Sequence, residues 1–135
     1  MCIFCKIINK EIPSDIVYED KEVIVFLDIR PINNGHLLVV PKKHTTNLYD
    51  TDDKTLSNLV KVIKKTAIAL KTAVNADGIN IGQNNERAAG QIVDHVHFHV
   101  IPRFNNDGFH HWKGHELPKE EGKKLCEKIK NEIKN

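Results

Sequence analysis

The sequence predicts an α+β fold: an antiparallel β-meander with a short N-terminal helix, one long helix and a C-terminal helix. Three observations carry that expectation. Several short runs alternate apolar and polar residues at a period of two, the signature of half-buried strands. One stretch, Thr51 to Val74, changes to spacings of three and four. The connections between the strand-like runs are of hairpin length, which favours antiparallel pairing. A chain of 135 residues suits one domain, residues 1–135, that buries a core without disulfides.

Taken in order, residues 1–11 place Ile3, Phe4, Ile7 and Ile8 at helical spacing, and Pro13 with Ser14 closes a short helix. Ile16 to Glu19 and Glu22 to Leu27 flank the polar pair Asp20-Lys21 and read as a tight hairpin. After Asp28 comes a punctuated loop, Arg30 to Gly35, whose Asn34-Gly35 pair supplies positive φ. It leads into a strand over His36 to Val40, which Pro41 ends. Leu56, Leu59, Val60, Ile63, Ala67, Leu70 and Val74 then form the stripe of the long helix. Thr51, Asp52 and Asp53 cap it, and Asp77-Gly78 marks its exit.

Gly78 to Gly82 resumes an extended pattern, and Gln83 to Gln91, lacking apolar periodicity, reads as a mobile loop. Next is His95-Val96-His97-Phe98-His99-Val100-Ile101, read as a strand with Val96, Phe98 and Val100 toward a core and three imidazoles on the other face. Arg103 to Gly114 is irregular. His110, His111, Trp112 and His115 within and beside it read as a solvated loop. Pro118 opens a final helix with a narrow stripe of Leu125, Cys126, Ile129 and Ile133, weakened by Gly122. Cys126 reads as core or inert.

The formal charge is +2 with 28% charged residues, and no long basic run suggests a nucleic-acid groove. Three cysteines are too few and too odd a set for a secreted disulfide scaffold. No apolar run approaches the ~20 residues of a membrane span, and no basic-then-apolar leader is present. A cytoplasmic, membrane-free setting is expected.

Same-face positions on a strand lie roughly 6.5–7 Å apart, so the histidine row can hold a nucleophile between two helpers. Imidazole suits attack on phosphorus: Nε2 attacks, and the phosphoramidate formed is labile enough to discharge to water without a catalytic metal. The ring must be neutral with Nε2 free, so Nδ1–H needs an acceptor, and a nearby backbone carbonyl is the expected one. His97, flanked on both sides, is the expected nucleophile, with His99 binding phosphoryl oxygens. Asn84, Gln91 and backbone N–H groups near Gly90 are expected donors for charge developing on phosphate. A rival reading is metal ligation, because His-x-His is a common ligand pair. Cys2-Ile3-Phe4-Cys5 has the spacing of half a zinc site, but also suits two small buried residues. A redox pair would lack the usual βαβ surroundings.

His95 to Ile101 resembles the His-φ-His-φ-His-φ-φ motif of the histidine triad (HIT) superfamily of nucleotide hydrolases and transferases. The likeness extends to Gly90-Gln91, to Gly35 through His44 and to Ile3 through Ile8, covering residues 2–104 and favouring the Hint-like branch; residues 105–135 form a variable tail. The resemblance implies that His97 takes up a nucleoside monophosphate, that His99 contacts the α-phosphate and that His36 supports the triad. It implies that Asp28, followed by Ile29, holds the ribose hydroxyls, and that Phe4, Ile7, Phe26 and Leu38 form the base pocket. Bare spacing would otherwise make Asp28 a strand-end turn carboxylate and the four apolar residues plain core. The resemblance further implies a structural zinc on Cys2, Cys5, His44 and His95, no catalytic metal, and a homodimer with adjoining sheets. One position departs from the pattern: Ile92 stands where the family has Ser or Thr, so a hydroxyl near phosphate is missing.

The expected activity is hydrolysis of purine nucleoside 5′-phosphoramidates or related adenylylated substrates, releasing a nucleoside monophosphate such as AMP through a nucleotidyl-His97 intermediate. Asymmetric cleavage of dinucleoside polyphosphates, a nucleotide-binding interaction protein of low turnover, and a hydrolase with an open metal on His95 and His97 are the alternatives.

Overall fold

The computed structural model describes residues 2–133. Helix α1 (Ile3–Ile8) precedes strands β1 (Ile16–Glu19), β2 (Val23–Leu27) and β3 (Leu37–Pro41). Helix α2 (Asp53–Ala73) leads to β4 (Gly78–Gly82) and β5 (Phe98–Arg103), and helix α3 (Lys119–Glu132) follows. The five strands form one antiparallel sheet in the order β1-β2-β3-β5-β4, as the short connections require. The β1–β2 turn is set by Asp20, whose Oδ1 accepts the N–H groups of Glu22 and Val23 at 2.7 and 2.8 Å.

One face of the sheet packs against α2, joining Val23, Val25, Leu37, Val39 and Val100 to Leu59, Val62, Ile63 and Leu70. The other face carries Ile24, Phe26, Leu38 and Val40, closed over by Phe4 and Ile7 of α1. His99 is paired with Leu38 across the β3–β5 ladder, which puts its side chain on this second face.

Several elements differ from the sequence reading. Helix α2 starts after Asp52, whose carboxylate accepts the Thr55 N–H at 2.8 Å, and ends at Ala73. Its buried stripe takes in Val62 and Thr66, while Val60 faces solvent at 57% exposed. The histidine strand begins at Phe98 rather than His95, because Val39 is the last β3 residue paired to it and the Pro41 carbonyl is taken by the His95 ring. It also runs through Pro102, which faces Ile79 of β4.

The segment Gln83 to Gln91 is not featureless: it contains a 3₁₀ turn, Arg87–Ala89. The Arg87 guanidinium donates to the carbonyls of Gln91 and Ile92 and pairs with Asp94 at 3.2 Å. Helix α3 forms where expected, but none of its residues is buried, so Cys126 is exposed rather than core. Ile3 likewise faces outward, leaving Phe4 and Ile7 as the buried pair of α1. No described helix is long and apolar enough to cross a membrane.

Candidate active site and metal centre

The three imidazoles of the 95–99 stretch converge with two others on the α1 face, and each has a defined hydrogen-bond partner. The Nδ1 of His97 lies 2.7 Å from the His95 carbonyl. A carbonyl only accepts, so Nδ1 carries the proton and Nε2 keeps its lone pair. The His97 ring sits edge-on to Phe4, centroids 5.0 Å apart, and beside His99 at 5.1 Å. At 8% exposed it is largely withdrawn from water, and that burial holds its pKa below the ordinary imidazole value despite the carbonyl and Asp28.

His99 is fixed in the opposite tautomer through a relay. The Ile32 N–H donates to His36 Nδ1 at 3.1 Å, so the proton of His36 is on Nε2. That nitrogen lies 2.9 Å from His99 Nδ1, which must accept, leaving His99 with an Nε2–H donor. Burial, reinforced by repulsion from His97 and His36, pushes His99 down to about 4, and burial also lowers His36. The site therefore pairs a ring with a free Nε2 lone pair and a ring whose Nε2 donates.

Asp28, at the end of β2, serves the turn and faces the relay at once. Its Oδ1 accepts the Arg30 N–H at 2.8 Å, and its Oδ2 lies 3.8 Å from His36 Nε2. Ile29 beside it is 87% exposed. Phe4, Ile7, Phe26 and Leu38 do gather in one cluster on the triad's face, each buried.

The phosphate-loop expectation changes in part. Gln91 is buried, and its Nε2 donates to the carbonyls of Thr46 and Val93 at 2.7 and 3.0 Å, while its Oε1 accepts the Glu86 N–H. Its backbone N–H goes to Glu86 as well, so Gln91 shapes the loop and has no donor left for a ligand. Asn84 keeps its side-chain amide without a partner among the described residues, beside Gly90, whose φ of +94° needs glycine. Ile92 projects into solvent at 84% exposed.

His95 faces away from this pair. Its Nε2 lies 2.7 Å from the Pro41 carbonyl, so Nε2 is protonated and Nδ1 holds the lone pair. That Nδ1 meets Cys2 Sγ, Cys5 Sγ and His44 Nδ1 at 3.4, 3.6 and 3.0 Å. The remaining edges of the cluster are 3.3 Å between the sulfurs and 3.6 and 3.4 Å from them to His44. Two soft thiolates and two imidazoles at the corners of a near-regular tetrahedron, with a centre about 2.1 Å from each, suit a closed Cys₂His₂ zinc site. The donor set fits the ion on geometry and on tautomer. The rival assignment, His95 and His97 together on an open metal, is not supported, because the two rings turn to different partners.

Sequence reasoning named the side chains and foresaw a backbone carbonyl at Nδ1 of His97. It missed the backbone groups that set the other tautomers, the Pro41 carbonyl and the Ile32 N–H, because every residue carries such groups and only the fold selects among them.

Residues 9–106 match the HIT domain. The chain is 47% identical over 106 residues to the adenosine 5′-monophosphoramidase of Candida albicans, covering 76% of this chain and 70% of that protein. A crystal structure of a HIT family protein from Bacillus subtilis superposes with a TM-score of 0.92 at 39% identity, over 99% of this chain and 98% of the other. A zinc-bound histidine triad family protein from Mycobacterium smegmatis superposes with a TM-score of 0.78 at 36% identity, over 97% of each chain. With the match spanning most of its length and the triad geometry in place, the chain belongs to the HIT domain family.

Proposed function

We propose that this protein is a nucleoside 5′-phosphoramidate hydrolase with purine preference, working through a covalent nucleotidyl-His97 intermediate. The observation that carries the reading is the His97 tautomer: Nδ1–H fixed on the His95 carbonyl at 2.7 Å and Nε2 left free in a largely buried ring. The phosphoramidase name of the Candida albicans relative supports the substrate class.

His97 Nε2 attacks the α-phosphorus as the substrate's P–N bond breaks, and the amine leaves with the bonding electrons and a proton taken from water. Positive charge arising on the ring is met by the carbonyl at Nδ1. The Nε2–H of His99, and the Asn84 amide, supply donors where negative charge gathers on the phosphoryl oxygens. Water then attacks phosphorus, the P–N bond breaks and the nucleoside monophosphate leaves. His36 supports His99 through the relay. Asp28, next to Ile29, holds the ribose hydroxyls, and the cluster of Phe4, Ile7, Phe26 and Leu38 receives the base.

Cys2, Cys5, His44 and His95 hold a structural zinc, which ties α1 to the loop after β3 and to the approach to β5; no catalytic metal takes part. Reduced thiols suit a cytoplasmic setting. Residues 2–104 form the catalytic unit and 105–135 a tail. The edge strand β4, with Ile81 53% exposed, supports a homodimer in which two sheets adjoin.

The test is mass spectrometry of enzyme quenched in denaturant during turnover of adenosine phosphoramidate. An AMP adduct on His97 is expected, and His97→Ala loses both adduct and at least about a thousandfold in turnover. Faster cleavage of a dinucleoside polyphosphate under matched conditions overturns the substrate class. The solvent-facing Ile92, offering no hydroxyl, favours a second reading, nucleotide binding with low turnover. Tight AMP binding with no product release, and no change in His97→Ala, would establish it.

A further inference from the structure

The Cys2–Cys5 pair is placed for more than ligation. Its sulfurs lie 3.3 Å apart, and the Cys2 sulfur accepts the Cys5 N–H at the start of α1. Both residues are half-buried, and the adjoining His44 is exposed, so a small polar oxidant has access to this side of the cluster. The inner side leads to the nucleophile by two routes. His95, fully buried, offers its ring to the sulfurs and its carbonyl to His97. Helix α1, which the cysteine pair anchors, sets the Phe4 ring against His97.

We infer that the Cys2–Cys5 dithiol is an oxidative modification site, at which a peroxide forms a disulfide, expels the metal ion and disables His97. The inference rests on reading Cys2, Cys5, His44 and His95 as a metal centre. One thiolate attacks a peroxide oxygen, the O–O bond breaks and hydroxide leaves, giving a sulfenic acid. The second thiolate attacks that sulfur, the S–S bond forms and a second hydroxide leaves. Two electrons pass from the sulfurs to the peroxide. The divalent ion, deprived of two of its four ligands and of both compensating charges, is released. His95 then keeps the Pro41 carbonyl but loses its contact with the cysteine sulfurs, and α1 loses its tie to the loop after β3. The acceptor for His97 Nδ1–H and the wall behind the ring loosen together.

The test uses the full chain loaded with zinc and titrated with hydrogen peroxide. Released zinc is read with a chromophoric chelator, the cysteines by peptide mass, the His97 tautomer by imidazole ¹⁵N shifts, and turnover on adenosine phosphoramidate. Expected are a Cys2–Cys5 disulfide, one zinc released per chain, loss of the single His97 tautomer and at least about a tenfold fall in turnover, the scale of outer-shell effects on a metal site. Thiol reductant with added zinc restores all four, and Cys126→Ser responds as the parent does. Zinc retained with Cys2 and Cys5 unmodified overturns the inference, as does a disulfide that leaves tautomer and turnover unchanged. A chain that takes up no zinc overturns the metal reading together with the expulsion step, whereas a zinc-loaded chain indifferent to peroxide overturns the inference alone.

Discussion

The two faces of the sheet are built by different means. On the α2 face, aliphatic side chains from four strands and a 21-residue helix bury one another without any directional bond. On the α1 face, a six-residue helix, too short to hold itself in water, covers a smaller apolar cluster. There the order comes from donors and acceptors matched one to one: His36 to Ile32 and His99, His97 to the His95 carbonyl, His95 to Pro41 and the cysteine cluster. The contrast separates stability from chemistry. Apolar burial tolerates small shifts, but a tautomer is lost when a single acceptor moves.

Substitutions on each face sharpen that division. The largest effect is expected from Leu59→Ala, at a fully buried α2 position. It should cost about 2–5 kcal/mol, read from urea unfolding, and leave turnover per folded molecule unchanged. A change in turnover of the folded fraction would show that the two faces are coupled.

An intermediate effect is expected from acid. His99 titrates at about 4 when folded against 6.5 as its ordinary value, so between those values the unfolded chain binds a proton that the folded chain refuses. Stability therefore falls as pH drops from 6.5 toward 4, by at most about 1.4 kcal/mol per pH unit from this group, and the loss levels off below that window. Urea midpoints measured with a chelator present, so that metal release does not contribute, check the slope. A parallel series with His99→Asn should make it shallower, the remaining slope belonging to His36, His95 and His97, which burial also lowers. The smallest effect is expected from Val60→Ala: its solvent-facing side chain predicts a change within about 0.5 kcal/mol, whereas a loss comparable to that of Leu59 would restore the stripe expected from spacing.

These cases also show where the sequence was readable. Val96 and Val100 are both fully buried, as the period of two requires, and the imidazoles face the other way even where His95 and His97 precede the ladder. The start of that ladder was not readable, because it depends on where β3 stops pairing and on the Pro41 carbonyl being claimed by a side chain. Val60 was misplaced for a related reason: spacings of three and four define a stripe only to within a residue's turn of the helix, and the neighbouring Val62 fits the sheet better. Gln91 looked like a donor because an amide in a glycine-bearing loop usually has free hydrogens. Here both are occupied by carbonyls of Thr46 and Val93. For the histidine ladder and for Gln91, local pattern gave the residue and a backbone group elsewhere decided its use.

Helix α3 stands apart from both faces. With Leu125, Ile129 and Ile133 between 37% and 66% exposed and Trp112 at 97%, positions 108–133 bury no side chain. Exchanges along that stretch should therefore shift the free energy of unfolding by no more than about 0.5 kcal/mol each. A change of side chain there touches neither the His36–His99 relay nor the carbonyl that holds His97.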